Sequence, residues 1–170
     1  WEIIFWDNAS TDSSPLIVNG FEDDRIKYYR GESNVDLGYA RNLAISRATG
    51  NYISFLDVDD LWHSDFLEKM IVKITNSSSN IVIADTFHFN NSDGIIGRSF
   101  EAINITQLKL NKKEVIKSLL IKGCFVDIEA VLIKSELLTE IRFNAKLNYV
   151  EDYDFWLKIG MKTGFEIINE

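Results

Sequence analysis

The 170-residue chain is predicted to form one α/β domain with a mainly parallel central sheet. Apolar segments of strand length, such as Tyr52 to Leu56, alternate with longer segments of helical periodicity, such as Leu61 to Ile74. This alternation is typical of α/β sandwiches. The chain contains a single proline and no linker-like or low-complexity stretch, which predicts one domain over residues 1–170. With 46% apolar residues, a domain of this length can bury a substantial core.

Each element follows from a local pattern. The first half predicts strands over 2–6, 26–29 and 52–56, turn-forming side chains over 8–14, and helices over 37–48 and 61–74. The second half predicts strands over 81–89, 130–133 and 165–168, a short helix over 135–140, and helices over 113–122 and 152–162. Gly50, Gly123 and Gly164 follow three of these helices, in positions where glycine commonly ends a helix.

Composition excludes several classes of protein. The formal net charge of −8 disfavours binding to the phosphate backbone of nucleic acid, although a nucleotide could still bind through metal ions. The only cysteine, Cys124, cannot form an internal disulfide or a cysteine-based metal site, and we expect it in the core. No apolar run approaches the ~20 residues of a transmembrane helix. The chain begins within a strand pattern, which predicts that upstream sequence is absent.

Acidic residues follow the predicted strands, where α/β proteins bind ligands. Asp7 closes the first strand, and Asp57, Asp59 and Asp60 follow the strand over 52–56. Asp57 and Asp59 could share a divalent cation, or one could bind the metal while the other contacts a sugar hydroxyl. Aspartates at such positions also start turns or cap helices. We interpret Asp60 as the cap of the helix that starts at Leu61.

Two further groups allow alternative interpretations. Arg41 lies near the start of a predicted helix, where its guanidinium could reach a diphosphate or lie on a solvated helix face. Glu151 and Asp152 precede the last helix, where they could complement the positive end of the helix or supply a general base.

The order of these motifs resembles the family 2 glycosyltransferases, which have the GT-A fold. Four segments carry the resemblance: residues 1–12, 34–42, 48–60 and 151–157. The resemblance implies a Rossmann-like sandwich that moves a sugar from a nucleotide-diphospho-sugar to a hydroxyl of a carbohydrate or lipid-linked acceptor. It also implies dependence on Mn²⁺ or Mg²⁺, inversion at the sugar carbon, and a cytoplasmic location, at the inner face of the membrane for a lipid-linked acceptor.

The resemblance also assigns roles residue by residue. Asp7 matches the aspartate that contacts the nucleotide base, and Arg41 matches a position near the diphosphate. Asp57 and Asp59 match the two aspartates of the DxD motif, which implies that Asp57 contacts ribose or sugar and that Asp59 binds the metal. Asp152 matches the catalytic base of inverting members.

The chain departs from the family pattern in two places, and two other functions compete. The first strand and helix of the family are absent, and Asn8-Ala9 replaces the commoner Asp-Gly. A haloacid-dehalogenase-like phosphatase would use Asp57 as its nucleophile, but that motif usually has Thr or Val where this chain has Leu61. The second competing function is a non-catalytic module that binds a nucleotide or a sugar.

Overall fold

The computed structural model describes residues 1–90, 92, 94–102 and 104–169. It confirms the α/β fold class. The strands are β1 (Ile3–Asp7), β2 (Ile26–Arg30), β3 (Tyr52–Ile53), β4 (Ile81–Ala84), β5 (Phe87–Asn90), β6 (Gly94–Arg98), β7 (Lys109–Leu110), β8 (Val131–Lys134) and β9 (Phe165–Ile168). The helices are α1 (Ser14–Asn19), α2 (Leu37–Ile45), α3 (Phe66–Thr75), α4 (Ser99–Ala102), α5 (Lys112–Lys122), α6 (Leu137–Glu140) and α7 (Glu151–Lys162), with a 3₁₀ turn over Ile128–Ala130. No helix in the described part of the chain is long and apolar enough to cross a membrane.

The main sheet has five strands in the order β3-β8-β4-β9-β7. β4 and β9 are parallel, whereas β8 is antiparallel to both β3 and β4, and β7 is antiparallel to β9. The sheet is therefore mixed, with β3, β4 and β9 running in one direction and β7 and β8 in the other. β1 and β2 form a separate parallel pair, and β5 and β6 form an antiparallel pair.

Helices cover both faces of the main sheet. Along β4, Ile81 and Ile83 belong to one apolar cluster and Val82 to another, as expected from the two-residue period of a strand. Met70 and Ile74 of α3 pack in the cluster that contains Val82. The larger cluster on the opposite side holds residues from α5 and α7, among them Leu119, Phe155, Trp156 and Ile159. Both helices are thereby anchored against the same side of the sheet.

Several element boundaries differ from the prediction. Only Tyr52–Ile53 of the strand over 52–56 pairs with a neighbour. The helix expected from Leu61 begins at Phe66, with Asp65 as its N-cap residue, so the assignment of Asp60 as a cap is wrong.

The helix expected over 37–48 ends at Ile45, and further differences lie in the second half of the chain and at one turn. The strand over 81–89 divides into β4 and β5 at Asp85 and Thr86. The Asp85 carboxylate accepts a hydrogen bond from the Phe100 amide, which ties this break to α4. The turn-forming stretch near Pro15 contains the short helix α1. Cys124 is exposed, not in the core.

Candidate active site

A cleft of about 550 Å³ collects most of the residues that the sequence nominated. Arg41 comes from α2, Asp57 from the turn after β3, and Glu151 and Asp152 from the first turn of α7. These three segments are far apart in sequence, and the fold brings them to one opening. The rest of the lining is Val35, Asp36, Leu37, Asp127, Ile128, Glu129, Leu147, Asn148 and Tyr149.

Arg41 joins the two halves of this cleft. Its Nη2 donates to Asp57 Oδ2 at 3.0 Å, and its Nη1 donates to Glu151 Oε1 at 3.1 Å. The side chains of Arg41 and Glu151 are each only 9% exposed. Two such carboxylates neutralise the guanidinium and satisfy part of its donor set, which a buried charge requires. Arg41 is therefore not on a solvated helix face.

Close packing of α2 against α7 makes the Arg41–Glu151 pair possible. A Cβ atom at Gly38 would lie 3.2 Å from both Cβ and Cγ of Glu151 and 3.2 Å from Cβ of Phe143. Glycine at this position lets the start of α7 approach α2, one helical turn from Arg41. The Phe143 ring then lies 5.6 Å from the Arg41 guanidinium carbon.

Asp152 occupies a different environment from its neighbour Glu151. Its Oδ1 accepts a hydrogen bond from the Tyr153 amide at 2.7 Å, and its Oδ2 lies 3.8 Å from Cys124 Sγ. The N-cap position belongs to Val150, and Asp152 lies in the first turn, where a carboxylate complements the helix dipole. Partial desolvation of the thiol and the Asp152 carboxylate raise the pKa of Cys124 to about 12, so this cysteine is a neutral thiol beside the cleft.

The turn after β3 concentrates negative charge. Asp57 bonds to Arg41, whereas Asp59 is exposed. Burial raises the pKa of Asp60, and the carboxylates of Asp59, Asp57 and Asp127 raise it further. Within the described residues, no group of three or more His, Cys, Asp or Glu side chains is arranged to hold a metal ion. Any cation here would need ligands from a bound molecule in addition to one or two carboxylates.

Sequence reasoning missed two acidic residues of the cleft, Asp127 and Glu129. Asp127 accepts hydrogen bonds from Thr86 Oγ1 and, at 2.7 Å, from Ser99 Oγ. Burial raises the pKa of Glu129, and Asp127, Asp60 and Asp57 add to this effect. Both residues precede β8. β8 is antiparallel to β3 and β4, so its amino end lies beside the carboxyl ends of those strands. The acidic residues just before β8 are therefore the sequence feature that could have indicated this part of the cleft.

Asp7 lies outside this cleft. Its carboxylate is fully buried, accepts hydrogen bonds from Ser10 N at 2.7 Å and Tyr28 Oη at 2.5 Å, and lies 3.7 Å from Arg30 Nη1. Burial alone would raise the pKa of Asp7, but these hydrogen bonds and Arg30 hold it below the ordinary value of 3.8. Ala9, two residues after Asp7, has φ +64°, a left-handed conformation that favours glycine.

Asn8 connects the Asp7 turn to the cleft. Its Nδ2 donates to Val35 O at 2.7 Å, and its Oδ1 accepts from Val35 N at 3.2 Å. Val35 lines the cleft. The carboxyl end of β1 and the opening at α7 are thus neighbouring parts of one surface.

Comparisons with known proteins match the chain to one enzyme family. The family model described as Glycosyl transferase family 2 matches residues 1–142. The UDP-Glc:alpha-D-GlcNAc-diphosphoundecaprenol beta-1,3-glucosyltransferase WfgD of Escherichia coli is 29% identical over 169 residues, which cover 99% of this chain and 62% of WfgD. The chain thus spans about three fifths of the length of this curated relative.

Two solved structures share the fold. TarS of S. aureus in complex with UDP superposes with a TM-score of 0.78 at 22% identity, covering 98% of this chain and 48% of TarS. Glucosyl-3-phosphoglycerate synthase of Mycobacterium tuberculosis, solved with Mn²⁺ and UDP-glucose, gives a TM-score of 0.58 at 15% identity, covering 98% of this chain and 57% of the synthase. The family match over residues 1–142 favours the transferase interpretation over a phosphatase with Asp57 as nucleophile, and both oxygens of Asp57 already contact Arg41.

Proposed function

Because the chain belongs to glycosyl transferase family 2, we propose that it transfers a sugar from a nucleotide-diphospho-sugar to an acceptor hydroxyl. The observation that carries this proposal is the convergence of Asp57, Arg41 and Asp152 on one cleft. Each residue occupies a segment that the family resemblance nominates for the donor or for the base. The cleft is also large enough for a small-molecule substrate.

The donor is proposed to be a uridine diphosphate sugar. The WfgD relative is named for UDP-Glc, and TarS was solved with UDP, which supports uridine over other bases. Asp57 is held by Arg41 and is positioned to accept a hydrogen bond from a ribose or sugar hydroxyl. Since Arg41 already binds two carboxylates, its contribution to the donor is to hold Asp57 in place. Asp7 is proposed to support binding of the base by holding Ser10 and Tyr28 in place, because its carboxylate is fully buried.

A divalent cation fits the chemistry of the turn after β3. Carboxylate oxygens are the ligands that Mn²⁺ and Mg²⁺ prefer, and Mg²⁺ commonly binds one or two carboxylates together with substrate phosphates. Asp59 is exposed. Burial raises the pKa of Asp60, and the neighbouring carboxylates of Asp59, Asp57 and Asp127 raise it further; a cation would offset the contribution of these carboxylates. We propose Asp59 as the protein ligand. When bound, the cation would neutralise charge that develops on the departing diphosphate.

Asp152 is proposed as the general base. Its carboxylate would accept the proton of the acceptor hydroxyl as the acceptor oxygen forms a bond to the anomeric carbon. The bond from that carbon to the diphosphate oxygen breaks on the opposite face, and the nucleoside diphosphate leaves with the electron pair. One displacement of this kind inverts the configuration of the sugar carbon.

The acceptor is proposed to be a carbohydrate linked to a lipid diphosphate. The name of WfgD specifies an acceptor of this chemistry, GlcNAc on diphosphoundecaprenol. Such an acceptor would place the reaction at the cytoplasmic face of a membrane.

The test is a ligand screen followed by a turnover assay on the full-length protein. UDP-, GDP- and dTDP-sugars are compared by thermal shift with and without Mn²⁺, and release of nucleoside diphosphate is then measured with lipid diphosphate sugars as acceptors. We expect UDP-sugars with Mn²⁺ to stabilise the protein and to turn over. Absence of any nucleotide-dependent shift would contradict the proposal.

A further inference from the structure

The exposed face of α5 combines basic and apolar side chains. Lys113, Lys117, Leu120 and Ile121 follow the i, i+4, i+7, i+8 spacing that places side chains on one side of a helix. All four are exposed, with Leu120 at 67% and Ile121 at 71% of full exposure. We call these four residues the α5 surface.

The opposite side of α5 attaches the helix firmly to the domain. Val115 and Leu119 are completely buried. A Cβ atom at Gly160 of α7 would lie 2.7 Å from Val115 Cγ1, so glycine permits close packing of the two helices. Asn111 and Glu114 form a reciprocal capping box at the start of α5. The α5 surface therefore stays outward while the helix remains folded.

The charge of α5 is opposite to that of the whole chain. The helix has four lysines and one glutamate, whereas the chain carries a net charge of −8. The glutamate, Glu114, is engaged by the Asn111 amide. Among the ion pairs of the described residues, none includes Lys112, Lys113 or Lys117. These three lysines therefore form a positively charged surface without ion-pair partners among the described residues.

The carboxyl end of α5 lies beside the wall of the cleft that carries Asp152. Tyr153 Oη donates to Leu119 O at 2.9 Å. Cys124, two residues beyond α5, has its sulfur 3.8 Å from Asp152 Oδ2. The exposed Leu120 and Ile121 are thus next to the side of the cleft from which, under the proposed function, the acceptor arrives.

We propose that the α5 surface docks the protein onto an anionic lipid bilayer. Exposed aliphatic side chains flanked by lysines match the boundary between headgroups and acyl chains, where the apolar groups insert and the lysines contact anionic headgroups. An apolar protein partner would match Leu120 and Ile121 but would leave the lysines without opposite charge. The orientation toward the acceptor depends on the proposed function, whereas the lipid contact itself does not.

The test measures partition of the full-length protein onto vesicles by cosedimentation. Vesicles of phosphatidylcholine alone are compared with vesicles that also contain phosphatidylglycerol. Removing two charges with Lys113→Gln/Lys117→Gln should lower partition onto the anionic vesicles roughly 30-fold. Leu120→Ser/Ile121→Ser should lower it roughly tenfold or more. Because all four side chains are exposed, both variants should keep the parent melting temperature.

The matched control is Leu16→Ser/Ile17→Ser on α1. Leu16 and Ile17 are also exposed, but α1 contains no lysine, so this variant should partition like the parent. Equal binding of the parent to both vesicle types, or unchanged binding of the α5 variants, would overturn the proposal. A loss of self-association in Leu120→Ser/Ile121→Ser, measured by light scattering, would assign the surface to a second copy and would also overturn it. No readout uses turnover, so failure of the transferase proposal would be seen separately.

Discussion

The carboxylate at the end of β1 and the carboxylates of the cleft differ in how their charge is neutralised. Asp7 is fully buried, yet Ser10, Tyr28 and Arg30 of the same chain surround it and lower its pKa. Glu129 in the cleft and Asp60 in the adjacent turn after β3 have raised pKa values because burial and neighbouring carboxylates act together. The charge of Asp7 is balanced by groups of the same chain, whereas the carboxylates in and beside the cleft leave an excess of negative charge. The difference indicates where an external cation would be most favourable.

Arg41 divides the carboxylates of this region into those that are paired with a cation and those that are not. The two carboxylates that it binds, Asp57 and Glu151, are held in place. Asp59 and Asp152 lie two residues and one residue further along the chain, and neither belongs to an ion pair among the described residues. The pattern predicts that Arg41 fixes the position of Glu151 and of the donor-binding Asp57, and that Asp59 and Asp152 act on the metal and the acceptor.

The largest effect is expected from removing this cation. Arg41→Met leaves Glu151 buried without its partner, which should cost about 3–5 kcal/mol in the free energy of unfolding. Chemical denaturation measures this loss. The double variant Arg41→Met/Glu151→Gln should recover a large part of it, because it removes the unpaired charge as well. A loss below about 1 kcal/mol for Arg41→Met would mean that the pair does not organise the cleft.

The next effect separates two neighbouring residues. Asp152→Asn should reduce turnover roughly 10²-fold or more, because asparagine cannot accept the hydroxyl proton. Its UDP affinity should match that of the parent. Its melting temperature should stay close to that of the parent, since asparagine can still accept the hydrogen bond from the Tyr153 amide and loses only the interaction of the carboxylate with the helix dipole, about 0.3–1 kcal/mol.

The control for this comparison is Glu151→Gln, which alters the buried partner of Arg41. This variant should lose stability by about 1–3 kcal/mol. If Asp152→Asn turned over at the parent rate, Asp152 would only stabilise α7, and the base would have to be sought at another carboxylate.

The contribution of Asp7 to the free energy of unfolding should depend on pH. Its pKa is lower in the folded chain than its ordinary value of 3.8, so its stabilising contribution is present above that value and is lost as the pH falls through the folded pKa. Asp7→Ala should therefore be destabilised by about 1–3 kcal/mol at neutral pH, with a smaller difference from the parent below about pH 4. Urea unfolding at both pH values tests this expectation.

Nucleotide binding supplies a second readout for the same variant. We expect Asp7→Ala to weaken UDP binding even without metal. A loss of affinity seen only in the presence of Mn²⁺ would instead assign Asp7 to the metal site.

The smallest effect concerns the strained turn after Asp7. Ala9 has φ +64°, a conformation that costs a residue with a Cβ atom about 1–2 kcal/mol relative to right-handed backbone. After the greater flexibility of glycine in the unfolded chain is counted, Ala9→Gly should stabilise the protein by about 0.5–1 kcal/mol. A melting temperature equal to or below that of the parent would show that the strain is relieved elsewhere.

Features of the fold that depend on residues close in sequence were predicted better than features that depend on residues far apart in sequence. The helix predicted over 152–162 is present as α7, and its apolar Phe155, Trp156 and Ile159 lie in the core. Pairing of strands is a long-range property, and the antiparallel direction of β8 is not readable from its own residues. The loop that carries Asp127 was therefore not predicted to be part of the site, although it contains acidic residues like the turn after β3, which was predicted.

The same limit applies to partners within the site. The sequence suggested a cationic role for Arg41 at a bound ligand, but its two carboxylate partners lie 16 and 110 residues away. Only the packing of α2 against α7 reveals that pairing. Local patterns identified several residues that line the cleft. Tertiary contacts determine which of their charged groups are already paired within the chain.

The central claim is that the excess negative charge of the cleft and of the turn after β3 beside it is neutralised by a divalent cation on Asp59 together with a bound diphosphate. Calorimetry of UDP binding at neutral pH, with and without Mn²⁺, tests it in the parent, in Asp59→Asn and in Asp24→Asn. The last variant removes the same charge from an exposed loop outside the cleft. We expect Mn²⁺ to tighten UDP binding by roughly tenfold or more, equivalent to about 1.4 kcal/mol, in the parent and in Asp24→Asn but not in Asp59→Asn. Equal Mn²⁺-dependent affinity in all three proteins would contradict the account.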